Sequence, residues 1–368
     1  MKNCLGSDAD FEHPTFKVEI KNVEDIVLKQ EVAQLKFVYT DQQNQEVETN
    51  KKQLTEILSR GEQRAFFIMQ ILFEVEARKA KAEDSLIVLD DIADSFDYNN
   101  KFAIIEYIND MNKHGRFYTI VLTHNFDFYR TLSSRLGLGN TVFMTTKAVD
   151  GTIALHNGEY RGDLFKSLSS GARTNERKLV SLIPFVRNLI EYTHGITSAE
   201  YLKLTFCLHV KAGYTDVLTI GNIVDIFKAS YPARCGNITV TDENENIKGF
   251  VLRVADDIES DTHNDEIAIE NKIVLSMACR LRTESYMLDK LSVHPDAISR
   301  IYAITSNQAR GIYDEYINHY SDNKDLLERV NLMTPEGIHI NSFMYEPLID
   351  TSLSHLLALY GECKASLI

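Results

Sequence analysis

Two sets of residues have the types and spacing to do chemistry. The first lies between Leu58 and Asn125. There LSRGEQ opens a long segment, the apolar run Leu86–Leu89 ends in Asp90 and Asp91, and a second apolar run, Phe117–Leu122, ends in Thr123-His124-Asn125. A short apolar run closed by acids suits a central strand, buried along its length, whose carboxyl end faces a ligand. Carboxylates in that place can hold a cation or polarise water. The second set lies downstream. Arg280 and Glu284 stand at i and i+4, one helical turn apart on one face, and His339 precedes an apolar segment. By spacing alone, an Arg–Glu pair of this kind is more often a surface ion pair, and a lone histidine before an apolar segment is often structural. By chemistry, a guanidinium, a carboxylate and an imidazole can clamp charge and move protons.

The elements that must position them follow from periodicity. Phe16–Ile20 and Gln34–Thr40 alternate as half-buried strands do, and Asp41–Lys52 reads as a turn or loop. A helix begins near Ser59, with Glu62 completing a capping-box pattern, and runs to about Arg78. Leu86–Leu89 and Phe117–Leu122 are buried strands separated by the helical pattern of Phe102–Met111. Phe126–Leu136 is helical, and Thr141–Thr146 and Thr152–His156 look like edge strands. Strand–helix–strand alternation predicts an α/β layer with a mostly parallel sheet and flanking helices. Beyond Glu159 helical periodicity takes over: Lys178–Tyr192, Ser198–Lys211, Asn222–Ser230, Asp265–Leu291, His294–Tyr313 and Leu353–Tyr360. The boundary falls near Asn157–Gly171. The expected organisation is therefore an α/β domain over residues 1–157 and a mainly helical domain over residues 172–368.

Composition bounds the function classes. A 368-residue chain with 44% hydrophobic and 25% charged residues has room for two cores. No apolar run approaches a membrane span and the N-terminus lacks a signal peptide's apolar stretch, so a cytoplasmic location with no membrane partner is expected. The five cysteines, Cys4, Cys207, Cys235, Cys279 and Cys363, have no metal-ligand spacing and read as reduced thiols. A net charge of −14 argues against a broad grip on nucleic acid. A local basic cluster of Arg161, Lys166, Arg173, Arg177, Lys178 and Arg187 is the candidate exception, while acids concentrate in Asp242–Glu270.

Leu86–Asp91 resembles a Walker B strand. The resemblance makes Asp90 the ligand of Mg²⁺ beside the nucleotide phosphates and Asp91 the acid that polarises the attacking water. Asp97 lies seven residues after Asp90, as the D-loop aspartate does in ABC-type ATPases, and His124 falls where that family has its switch histidine. Leu58-Ser59-Arg60-Gly61-Glu62-Gln63 resembles the ABC signature motif of the SMC and RecF branch. There the serine and the helix N-terminus clamp the γ-phosphate of ATP held by a partner subunit. Ser59, Gly61, Glu62, Gln63, Asp97 and His124 are thus the implied nucleotide-binding residues, with ATP or GTP and Mg²⁺ as cofactors. No G-x-x-x-x-G-K-[ST] occurs in the chain. The expectation is the distal half of an ABC head, sharing its nucleotide with a Walker A-bearing half or a second head.

The wider chain is similar to the C-terminal half of the PrrC/RloC type of ABC-gated anticodon nuclease. The similarity rests on FKVEIKNVEDIVL, SRGEQRAFFIMQILFEVEARK, DDIADSFDYNNKFAIIEYI, THNFDFYRTLSSR, IPFVRNLIEY and HINSFMYEPLID. It implies a tRNA anticodon-loop endoribonuclease in phage defence, with tRNA and a restriction-modification or other defence protein as partners. That family is described by an Arg-x3-Glu…His triad, matched here by Arg280, Glu284 and His339, with Arg282 and His319 as alternatives. Glu284 and His339 would be the acid and base in either order, Arg280 the phosphate clamp, and no cofactor would serve the cleavage. A different reading is an SMC/RecF-like ATPase fragment that acts on DNA without a nuclease, and a third is an inactive fragment.

Overall fold

The computed structural model describes residues 16–20, 35–40, 46–49, 56, 58, 60–81, 84–92, 98–147, 151–211, 213–262, 265–304 and 307–367. The chain forms two compact units, residues 1–139 and 140–368.

In the first unit, β1 (Phe16–Ile20), β2 (Leu35–Thr40) and β3 (Glu46–Thr49) pair antiparallel in the order β1-β2-β3. Then come α1 (Arg60–Lys81), β4 (Ser85–Asp90), α2 (Tyr98–Lys113), β5 (Phe117–Leu122) and α3 (Phe126–Leu136). The strands β4 and β5 pair in parallel, from Ser85 beside Phe117 to Asp90 beside Leu122. This corrects the expectation of a mostly parallel sheet: among the described residues the parallel ladder is this pair. The connection from β2 to β3 is too short for a crossover helix and can close only an antiparallel hairpin.

Alternation along β4 and β5 decides their packing. Leu89 and Phe117 point into a core with Val75 of α1, Ile104, Ile105, Ile108 and Met111 of α2, and Phe128 and Leu132 of α3. The opposite face is open: Leu86 is 64% exposed and Tyr118 63%, with Val88, Ile120 and Leu122 also exposed. Parallel strands are normally covered on both faces, so half of this layer is bare.

In the second unit, β6 (Phe143–Lys147) and β7 (Ile153–Asn157) form an antiparallel hairpin. Here the hairpin is tied to its own unit, through His156 Nδ1, 3.3 Å from Asp265 Oδ1. Helices follow: α4 (Leu164–Gly171), α5 (Glu176–His194), α6 (Ala199–Thr205), α7 (Ile220–Ser230), α8 (Pro232–Cys235) and α9 (Ile247–Ser260). The rest are α10 (Ile269–Leu291), α11 (Pro295–Tyr302), α12 (Gln308–His319), α13 (Lys324–Met333), α14 (Pro335–Ile338), α15 (Glu346–Asp350) and α16 (Leu353–Ser366).

The hub is α10. Ile273, Val274, Leu275, Met277, Ala278, Cys279, Leu281 and Leu291 are fully buried, and Arg280 and Glu284 are buried with them, so the helix is enclosed on every side by its neighbours. Two long helices expected from sequence are broken. Ser198–Lys211 stops at Thr205, and His294–Tyr313 divides into α11 and α12. No helix among the described residues is long and apolar enough to cross a membrane.

Candidate functional site

In the first unit, β4 and β5 deliver Asp90, Asp91 and His124 to one end of the parallel ladder. Asp91 N–H donates to Leu122 O at 2.9 Å, which extends the ladder past Asp90. Asp91 then turns through the left-handed region (φ 47°), a conformation that a short aspartate tolerates better than most residues. Its Oδ1 accepts the backbone N–H of His124 at 3.2 Å and lies 2.9 Å from His124 Nδ1. Asn125 caps α3 by accepting the N–H of Phe128 at 2.9 Å, which fixes the turn that presents His124. The contact is open to water, with side-chain exposures of 47% for Asp91 and 70% for His124. Asp90 is exposed on the bare face, beyond Leu86 and Val88.

Gly61 and Glu62 lie in the first turn of α1, and Gln63 Nε2 donates to Leu58 O at 2.9 Å. Ser59 and Asp97 lie outside the described residues. These residues fit part of a nucleotide site. Asp90 offers an exposed carboxylate for hydrated Mg²⁺, and Asp91 with His124 offers acceptor and donor atoms toward a terminal phosphate. A phosphate-cradling glycine loop is not in the sequence.

The second unit holds a denser cluster. Arg280 and Glu284 share one face of α10, as their spacing requires, yet both are interior. Arg280 is 4% exposed and Glu284 is fully buried. A surface ion pair is therefore the wrong description. Glu284 Oε1 lies 2.8 Å from His209 Nδ1, and Oε2 accepts Val210 N–H at 2.8 Å. With Glu284 ionised, Nδ1 of His209 is the donor and Nε2 is left over. The cost of burying the carboxylate is offset by using both oxygens.

Arg280 binds elsewhere: Nη1 donates to Asn331 Oδ1 at 2.5 Å and Nη2 to Thr334 Oγ1 at 2.8 Å, on the α13–α14 corner. That corner leads into His339, whose N–H donates to Pro335 O at 2.8 Å. His339 keeps an exposed edge, and its ring centroid is 5.7 Å from that of His209. Crowding by protein pushes His339 down to about 4, and the charges of His209, Arg187 and Arg280 add to the effect. At neutral pH its imidazole is uncharged.

The break after α6 makes the cluster possible. Had the helix continued to Lys211, the N–H of Val210 would serve the helix and not Glu284. The buried hydroxyl of Thr215 takes over the local bonding: it accepts Lys211 N–H at 2.8 Å and lies 2.9 Å from Phe206 O and 3.0 Å from His209 O. Gln308 Nε2 donates to Val210 O at 2.7 Å.

Sequence reasoning missed His209, since its partner is 75 positions away and its neighbourhood reads as helix. It placed Arg187 only in a surface cluster. Arg187 is half-buried instead, with Nε donating to Thr205 Oγ1 at 2.8 Å, Nη2 to Tyr201 OH at 2.5 Å, and its guanidinium carbon 4.5 Å from the Tyr201 ring centroid. The basic cluster does not form one free face. Arg177 pairs with Asp261 at 2.8 Å and Lys178 lies 3.8 Å from Glu270. The alternative triad residues go elsewhere: Arg282 Nη2 donates to Tyr360 OH at 3.2 Å, and His319 stacks on His294 at 4.1 Å.

No curated protein and no solved structure matches the chain in comparison. Residues 15–166, less than half of the chain, match the family model of an AAA domain, and this similarity supports an ATPase-type domain of the ABC/SMC-like AAA class, a class that generally uses ATP with Mg²⁺.

Proposed function

We propose that the chain couples the distal half of an ABC-type ATPase head to a metal-independent endoribonuclease acting on tRNA anticodon loops, in defence against phage. The observation that carries the reading is the interior carboxylate Glu284 bound to His209, on the same face of α10 as Arg280 and with the partly exposed His339 alongside. A buried carboxylate is costly unless its oxygens are bonded, and both oxygens of Glu284 are. Cleavage of RNA needs a base for the 2′-hydroxyl, an acid for the leaving 5′-oxygen and a cation for the phosphorane charge. The imidazoles and guanidinium groups gathered around Glu284 are of the types that can supply all three. Arg280, Glu284 and His339 are the residues on which the activity depends.

Recognition of a single-stranded loop requires surfaces on which bases stack. Tyr192 near the end of α5 and Phe343 just past His339 form an edge-to-face pair, ring centroids 5.6 Å apart. Both are more than half exposed, at 62% and 63%. The turn that carries Phe343 is docked on α5: Asn188 Oδ1 accepts Ser342 N–H at 2.9 Å and Ser342 Oγ donates to Phe185 O at 3.0 Å.

The head supplies gating. Bound ATP with Mg²⁺ would bring a negative γ-phosphate to Asp90, Asp91 and His124 of this chain once a phosphate loop from a Walker A-bearing half or a second head completes the site. The bare face of β4 and β5 is where a further layer fits this reading. Cleavage of tRNA that survives EDTA and disappears in Glu284→Ala or His339→Ala is the expected result. Cleavage persisting in both variants refutes the residue assignment.

A further inference from the structure

We propose that His209 and His339 are the two proton-transferring groups of the second unit's site, that Arg187 is the cation facing the phosphate, and that Arg280 and Glu284 are positioning residues, each holding one histidine. The inference rests on the RNA-cleaving reading and assigns its chemistry to different atoms.

The geometry separates what can touch a substrate from what cannot. Glu284 has no exposed area and both oxygens are bound, to His209 and to Val210 N–H. Arg280 is 4% exposed and spends its terminal nitrogens on Asn331 and Thr334. One helical turn of α10 therefore braces two separate corners. Glu284 fixes the ring nitrogen and tilt of His209 on the corner after α6, and Arg280 fixes the α13–α14 corner that ends in His339. The two imidazoles come to 5.7 Å between centroids, near enough for each to reach one of two oxygens on a single phosphorus. Arg187 is bonded to Thr205 and Tyr201, and its charge acts on His339.

In the cleavage step the 2′-oxygen attacks phosphorus while its proton passes to a nitrogen of His339. The bond from phosphorus to the 5′-oxygen breaks, and that oxygen takes a proton from Nε2 of His209. The products are a 2′,3′-cyclic phosphate and a 5′-hydroxyl, and no co-reactant is consumed. His339 serves as base because burial and the charges of His209, Arg187 and Arg280 keep it neutral. His209 serves as acid through Nε2, since Glu284 occupies its Nδ1. Arg187 neutralises the phosphorane oxygens.

The test uses the whole chain and two readouts: single-turnover tRNA cleavage against pH, and NMR of histidine ring protons titrated with 3′-UMP. His209→Gln, which keeps a donor for Glu284, and His339→Gln are each expected to slow cleavage by about 100- to 10,000-fold with unchanged melting. Glu284→Gln, which still accepts from Val210 N–H, is expected to move the alkaline limb of the profile to lower pH, whereas a structural role lowers the whole profile without moving it. A His209→Gln variant that cleaves at the wild-type rate while His339→Gln is dead overturns the assignment of His209 and leaves the RNA-cleaving reading intact. A wild-type chain that cleaves no RNA removes that reading, and the NMR arm then decides. Signals of both histidines moving with 3′-UMP, with affinity falling at least tenfold in Arg187→Met, sustain a two-histidine phosphate site, and absence of movement overturns it.

Discussion

Two carboxylate–histidine bonds of nearly equal length, one in each unit, are opposite in character. Asp91 and His124 meet at 2.9 Å at the open end of β4 and β5, in water, while Glu284 and His209 meet at 2.8 Å inside the second unit. In water such a contact is worth little and is easily broken by a competing ligand. In the interior it is strong, and losing one partner leaves a charge with nothing to solvate it. The first pair suits a site completed from outside by a nucleotide and a phosphate loop. The second suits a site finished within the fold, where the geometry is set before substrate arrives.

The largest expected difference between the two is in stability. Glu284→Ala should destabilise the second unit by about 3 kcal/mol, because it strands Val210 N–H and the imidazole of His209. Asp91→Ala should change the stability of the first unit by no more than about 0.5 kcal/mol. Urea unfolding monitored in each unit measures both, and similar values for the two would dissolve the contrast.

A second test concerns the corner that bears His339. A Cβ on Gly337 would come within 2.4 Å of Ser276 Oγ and 2.5 Å of Ser276 Cβ on α10. Gly337→Ala should therefore cost about 1–3 kcal/mol and reduce RNA cleavage, and adding Ser276→Gly should restore both. Failure of the double variant to recover would show that the corner is not held by this contact.

Phe343→Ala and Tyr192→Ala should weaken RNA binding by about 1–3 kcal/mol for each base that loses its stacking partner, with the rate at saturation unchanged. A fall in that rate with binding unaffected would move these rings from recognition into the reacting centre.

The smallest effect is in pH dependence. The native pKa of His339 lies near 4, below the ordinary 6.5, so the unfolded chain binds its proton first on acidification. Its contribution to stability is complete above pH 6.5 and is lost as pH falls toward 4. His339→Asn should flatten the stability profile across that window, and NMR titration should find the ring neutral down to about pH 4.

What could be read in the sequence was local. The strand ends carrying Asp90 and His124 were legible because apolar runs closed by polar residues mark buried strands, and Arg280 with Glu284 because i and i+4 share a helix face. That the pair would be interior was not legible, since burial is set by the helices packed around α10. His209 was hidden in an apolar helical pattern that Thr215, a buried hydroxyl, interrupts after Thr205. The basic cluster misled because charge along the chain says nothing of pairing: Arg177 and Lys178 meet acids from Asp261 and Glu270, far along the sequence.

On the proposed function, the second unit cuts RNA with side chains alone. Incubating the chain with total bacterial tRNA in EDTA and mapping the ends of the products tests it most directly. The expected result is cuts in an anticodon loop, with 2′,3′-cyclic phosphate and 5′-hydroxyl ends, absent in His339→Ala. Intact tRNA, or cuts ending in 3′-hydroxyl and 5′-phosphate, would contradict it.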